Sequence, residues 1–256
     1  YYIGPLSVYP RRAMYVSDME GFAGFGNWLY RGIGCIGKRR FVADYSVISN
    51  IRYAIKQKQI VFLYPESRHA NFGTTGYIPK DMGRLCKLLK VPVVILSCNG
   101  SYLANPFWNE DATRKVPMKA RMECIYSASE LESASADEIQ LRIETMLQYD
   151  EYDYQHKAGF KICDKDRAEG LHKALYVCRK CGVPYKMSSS GSTLKCASCG
   201  SEFELTEDGW MTLKNPSSDD VLPSKIHLPD WYEWQRSEVI NGLESSGIQN
   251  LRREYK

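Results

Sequence analysis

Apolar residues recur at helical spacing in one group of segments along this chain and crowd into short strand-like runs in another. Val47, Ile48, Ile51 and Ile55 follow the i, i+1, i+4, i+8 pattern of an amphipathic helix, and Asp44 stands where its N-cap is needed. The run Ile60–Tyr64 is β-branched and aromatic and is stopped by Pro65. It predicts a strand with Glu66, Ser67 and Arg68 on the loop at its C-terminal end. A second helix is expected over 79–89, with Met82, Leu85, Leu88 and Leu89 on one face, and a buried strand over 91–96. Strand, loop, helix and strand in that order make a βαβ unit. A strand near 120–126 and an amphipathic helix over 137–147, on Ile139, Ile143, Met146 and Leu147, follow. The pattern then changes: 150–174 is polar and aromatic-rich, and the tail carries Trp231, Tyr232 and Trp234 ahead of another expected helix. That aromatic cluster could form a lipid-interface belt, but is expected instead to pack the tail onto residues 175–212.

Between these regions lie Cys178-x-x-Cys181 and Cys196-x-x-Cys199, each followed by glycine. A Cys-x-x-Cys-Gly turn aims two thiolates at one ion, and glycine tolerates the positive φ that the turn needs. Two such turns complete a tetrahedral sulfur shell, the pattern of a zinc ribbon with a closed, structural Zn2+. Two disulfides would use the same residues, but redox dithiols come singly beside a βαβ unit more often than as matched pairs across a hairpin. Ser188–Gly191 supplies the hairpin turn between the pairs.

Composition narrows the class. The chain has 256 residues, is 44% apolar and 25% charged, and contains no apolar run near the ~20 residues of a membrane-spanning helix. Of its nine cysteines, Cys35, Cys86, Cys98 and Cys124 sit singly among apolar neighbours, the usage of reduced core thiols in a cytoplasmic protein. The net charge of +4 is unevenly spread: residues 1–60 carry nine Lys and Arg against three acids. That excess suits a phosphate-bearing ligand, an anionic membrane surface or nucleic acid.

Two blocks, Gly34-Cys-Ile-Gly-Lys-Arg-Arg40 and Tyr64-Pro-Glu-Ser-Arg-His69, followed by Val91-Pro-Val-Val94 and Gly100-Ser-Tyr-Leu103, stand in a recognisable order. Over roughly residues 1–130 the chain resembles the glycerolipid acyltransferases typified by 1-acyl-glycerol-3-phosphate acyltransferases, in a bacterial branch that adds a zinc ribbon. The resemblance implies an α/β fold with a βαβ-built domain and a mostly parallel central sheet, plus a small β zinc ribbon. It divides the chain into an acyltransferase domain (1–150), a connector (151–174), the ribbon (175–212) and a tail with a helix (213–256). It implies transfer of a fatty acyl group from acyl-CoA or acyl carrier protein to a lysophospholipid hydroxyl, in phospholipid biosynthesis at the inner face of the membrane, without nucleic acid. Arg39, Arg40, Glu66, Ser67 and Arg68 would bind the acceptor, and Cys178, Cys181, Cys196 and Cys199 the zinc.

Three departures qualify the match. Ser67 stands where the family has glycine, and the Glu66-to-Arg68 spacing is one residue shorter. The family's His-x4-Asp, whose histidine is the general base, is missing: five residues beyond His69, His156, His172 and His227 stand Thr74, Lys161, Val177 and Tyr232. The block is expected upstream of Tyr1, which would leave these 256 residues inactive alone. On local features, Glu66 could equally pair with Arg68, and Lys38–Arg40 could be a solvated turn. A zinc-ribbon nucleic-acid binder is the rival from another class, opposed by the eleven acids against six bases from Ser201 onward.

Overall fold

A computed structural model describes residues 13–18, 32, 34–39, 44–66, 71–109, 113–218 and 220–245. The chain is mixed α/β: its described residues form a three-stranded parallel sheet, a five-stranded antiparallel sheet and a two-stranded sheet, and it divides into two compact units. The first takes residues 1–69, 76–96 and 122–146, and the second 70–75, 97–121 and 147–256. No described helix is long and apolar enough to cross a membrane.

In the first unit, β1 (Ala13–Asp18) lies between β2 (Cys35–Lys38) and β3 (Ile60–Phe62), parallel to both. Helix α1 (Tyr45–Lys56) carries the chain from β2 across to β3. It forms where its periodicity and cap predict: Asp44 accepts from the Ser46 amide, and Val47 and Ile51 are buried with Val16 and Ile36. β1 and β2 were not legible as strands, because Gly34–Arg40 reads as a turn and Ala13–Asp18 alternates weakly. The βαβ unit expected from β3 onward takes a different form. β4 (Val93–Asn99) follows helix α2 (Met82–Leu89) but pairs with β5 (Lys119–Tyr126), and among the described residues it does not join β3. The parallel crossover is instead β2, α1, β3, with β1 inserted as the central strand.

Helix α2 buries Gly83 and Cys86, leaving Leu88 half exposed, so its packed face is turned from the expected leucine and methionine face. The cause is a close helix crossing. A Cβ on Gly83 would lie 2.0 Å from the Ala136 carbonyl at the start of the helix over Ala136–Met146, so only glycine fits there. Gln140 of that helix accepts from the Gly83 amide at 2.9 Å and donates to the Pro79 carbonyl at 3.0 Å, fastening the crossing. A short helix, Ala128–Ser133, precedes it and is opened by a reciprocal capping box between Ser127 and Glu130.

The second unit is built on one antiparallel sheet of five strands in sequence-adjacent order: β6 (Met187–Ser190), β7 (Thr193–Cys196), β8 (Glu202–Leu205), β9 (Trp210–Leu213) and β10 (Ile226–His227). Its core joins Leu194, Phe203 and Met211 of these strands to Phe72, Leu103, Trp108, Tyr152 and Leu171. The ribbon strands therefore share a core with segments on either side of them. Residues 151–174, expected as a connector with no element assigned, contain the helix Glu151–Ala158, capped by Asp150, and a short 3-10 turn at Leu171–Lys173. Its sequence, Glu-Tyr-Asp-Tyr-Gln-His-Lys-Ala, has no apolar stripe to reveal it, since Tyr152 and Gln155 supply the buried face. The last helix, Leu228–Ser245, begins before the tail's aromatic cluster and contains it, where the sequence placed the cluster ahead of the helix.

Candidate functional site

Of the candidate acceptor-binding residues, Arg39 and Glu66 are described, and they follow the C-terminal ends of β2 and β3. Because both strands run parallel to β1 and flank it, both C-terminal ends point to the same edge of the sheet; β2 runs on to the level of Asp18, β3 stops at the level of Tyr15, and Glu66 follows that stop by four residues. That edge is where open α/β sheets place ligands. Arg39 is more than half exposed, and its Nε donates to Asp44 Oδ2 at 3.1 Å. The Ser46 hydroxyl first and the Arg39 guanidinium second hold the Asp44 carboxyl down to about 2. Asp44 thus caps α1 and orients Arg39 with the same carboxylate, a role the sequence showed only as the cap. Glu66 Oε2 accepts from the Gly76 amide at 3.1 Å, which ties the loop after β3 to the segment leading into α2. Arg40, Ser67 and Arg68 lie outside the described residues, as does His69.

The phrase Gly100-Ser-Tyr-Leu103 has a packing role. Gly100 adopts φ +89, and a Cβ there would meet the Pro117 carbonyl at 2.3 Å. Its amide donates at 2.6 Å to Glu151, a carboxylate only 1% exposed whose pKa burial raises. Tyr102 donates to the Asn71 carbonyl, and Leu103 is in the core.

The four cysteines converge. Their sulfurs all lie within 4.8 Å of one another, and the cross-knuckle pairs Cys178–Cys199 and Cys181–Cys196 are each 3.8 Å apart. Metal–sulfur bonds of about 2.3 Å in a tetrahedron place the sulfurs about 3.8 Å apart, whereas a disulfide needs about 2.05 Å. The four thiols are free, and the shell fits one metal ion. The two turns are built alike: Gly182 donates to the Cys178 carbonyl and Gly200 to the Cys196 carbonyl, both at 2.9 Å, with φ of +71 and +73. Neither glycine would crowd a Cβ, so glycine is required there by backbone angle and not by space.

Cys178 and Cys196 are fully buried in the core, while Cys181 and Cys199 are exposed. Burial pushes the Cys178 thiol up to about 12. At Cys199 burial also opposes the charge, but the Ser201 hydroxyl, 2.9 Å from the sulfur, and the Ser201 amide outweigh it and bring the thiol to about 6. Ser201 was not singled out from the sequence. Its signal is positional: it follows the second Cys-x-x-Cys-Gly, where Val183 follows the first.

The last helix holds the first knuckle in place. Trp231 is fully buried and its Nε1 donates to the Val177 carbonyl at 3.0 Å. Gln235, 1% exposed, accepts from the Tyr176 and Val177 amides at 2.9 Å each and donates to the Ala174 carbonyl at 3.0 Å. Arg179, between the first two cysteines, lies over the Trp234 ring at 4.2 Å. Two lysines of the ribbon pair with acids, Lys180 with Asp220 at 2.6 Å and Lys195 with Glu202 at 2.8 Å.

The chain matches no protein-family model, no curated protein and no solved structure.

Proposed function

We propose that this chain serves as an acyltransferase, moving a fatty acyl group from acyl-CoA or acyl carrier protein to the free hydroxyl of a lysophospholipid, with 1-acyl-glycerol-3-phosphate as the first candidate acceptor. The observation that carries the reading is the common edge of β2 and β3, to which Arg39 and Glu66 both belong. In this reading Asp44 engages Arg39 through Nε and leaves the Nη atoms for the acceptor's phosphate, a charge-assisted and geometrically selective contact. Glu66 orients a glycerol hydroxyl, and Arg68 adds a second guanidinium from the loop that follows. The hydroxyl attacks the thioester carbonyl directly, its proton passing to the histidine of the His-x4-Asp block that the resemblance implies, and the thiol leaves. A mostly parallel sheet extended beyond the three described strands, and a peripheral seat on the inner face of the membrane aided by the basic first 60 residues, belong to the same proposal. The four-cysteine shell would hold a structural Zn2+ that takes no part in the transfer. Nucleic-acid binding fits less well, because Lys180 and Lys195 are each paired with an acid.

The test is acyl transfer by the complete product of the gene, assayed with acyl-CoA and acyl carrier protein donors. Replacing Arg39 or Arg68 by Ala should raise the KM for the phosphorylated acceptor and leave that for the thioester nearly unchanged. An acceptor KM unchanged in both variants removes the phosphate clamp. Absence of transfer from either donor to any lysophospholipid overturns the proposal.

A further inference from the structure

A small cavity in the second unit is walled by Leu103, Ile162 and Leu205 and rimmed by Arg114, Gln155 and Gly209. Its volume is about 10 Å³, the room that a single water molecule occupies by this measure. Two of its lining residues, Gln155 and Arg114, carry a buried polar atom with no hydrogen-bond partner, and Asp164, beside Arg114 and outside the lining, carries a third. Gln155 is 1% exposed, and its Nε2 donates to the carbonyls of Glu207 at 2.9 Å and Phe160 at 3.3 Å. Those two bonds fix which end of the amide is nitrogen, so Oε1 must find a donor elsewhere, and it is buried with none. Arg114 is 6% exposed and donates through Nη2 to the Arg167 carbonyl at 2.7 Å, while its Nε is buried and unbonded. Asp164 Oδ2 lies 3.5 Å from that Nε, close enough for ionic attraction but outside hydrogen-bond geometry, and it too is buried without a partner.

We infer that this cavity is a binding site for one internal water, which accepts from Arg114 Nε–H and donates to Gln155 Oε1 and Asp164 Oδ2. One donor and two acceptors are the complement of a single water that accepts once and donates twice. Size and charge exclude other occupants. A cation would face the guanidinium groups of Arg114 and Arg167. A halide is larger than water and would face a carboxylate and an amide oxygen. A dry cavity would leave three buried polar atoms unsatisfied, a larger penalty than immobilising one water. The wall is kept bare at Gly209, where a Cβ would fall 2.4 Å from Gln155 Oε1 and the backbone is at φ +86. The water joins the stretch before β5 to the helix over Glu151–Ala158 and to the segment that follows that helix. The inference is independent of the acyltransferase reading.

A crystal structure of the wild-type chain at atomic resolution, with a second crystal soaked in bromide, tests it. The expected result is one fully occupied oxygen peak within hydrogen-bond distance of Arg114 Nε and Gln155 Oε1, with no anomalous signal from the soaked crystal. A collapsed or empty cavity, a direct Arg114–Gln155 hydrogen bond, or a bromide peak at the site overturns it. In solution, the Gly209 amide proton should show a nuclear Overhauser effect to water with the sign of a long-lived bound molecule, and its absence counts equally against the site.

Discussion

Replacing Gln235 measures how far the last helix supports the metal centre. Its side chain satisfies two amides and one carbonyl of the segment that runs into Cys178, and it is buried, so no solvent stands ready to replace it. Gln235→Met keeps the volume and removes all three bonds. Each orphaned buried group costs about 1–3 kcal/mol. Val177 is buried and bears its full share, whereas Tyr176 is only half-buried and recovers part of its loss from water. The expected total is about 2–4 kcal/mol for Met, with roughly 1–2 kcal/mol more for Ala, which also leaves a cavity. Because ordering of the knuckle and metal binding are linked, the same loss should weaken apparent metal affinity by roughly thirty- to several-hundred-fold, at about 1.4 kcal/mol per decade. Urea unfolding followed by tryptophan fluorescence reads the first quantity, and competition with a chromophoric chelator reads the second. If Gln235→Met unfolds and binds metal as the parent does, the clamp has no energetic role and the reasoning fails.

Purified protein should carry about one zinc per chain, lost together with the ribbon's fold in a Cys178→Ser/Cys196→Ser double variant, and elemental analysis finding iron or no metal in a folded ribbon contradicts the zinc assignment. Glu151→Ala should cost about 2–4 kcal/mol in urea unfolding by orphaning the Gly100 amide, whereas Glu151→Gln, which keeps an acceptor oxygen, should stay within about 1 kcal/mol of the parent. Stability should also depend on pH through two histidines whose ring centres lie 5.6 Å apart. Burial opposes charge on His227, but Asp150, 2.8 Å away, outweighs it and raises the pKa, so this contribution is complete below the ordinary value of about 6.5 and is lost as pH rises through the folded value. Burial first and His227 second lower that of His156, which is stacked on Trp210, so its contribution is complete above about 6.5 and is lost as pH falls toward the folded value. Denaturation across this range should show His227→Gln removing the alkaline-side decline and His156→Gln the acid-side one. Unchanged profiles in both variants would sink the assignment.

The sequence disclosed most where one local rule decides the outcome. The Cys-x-x-Cys-Gly pairs needed only a turn with positive φ at Gly182 and Gly200, and α1 needed only Asp44 and a regular apolar stripe. It failed where a tertiary neighbour decides. β1 and β2 become strands because they pair with each other and with β3, and the packed face of α2 is set by the Ala136 carbonyl pressing on Gly83. The helix after Asp150 was hidden because a tyrosine and a glutamine, not an aliphatic stripe, form its buried face. At the sheet edge the sequence named Arg39 and Glu66 as candidates but could not reveal Asp44 or Gly76 as their partners, since neither contact leaves a periodic trace.

The unequal burial of the four cysteines has a kinetic consequence. An incoming chelator or exchanging ion can reach a bound metal only from the side of Cys181 and Cys199, and the first metal–sulfur bonds to break are theirs. Cys178 and Cys196 belong to the same core as Leu194, Phe203 and Trp231, so their sulfurs cannot swing away without a local opening of that core. Release would then proceed in two stages, a rapid detachment of the outer pair and a slower step gated by core opening, whose frequency is set by packing and not by the concentration of the competitor.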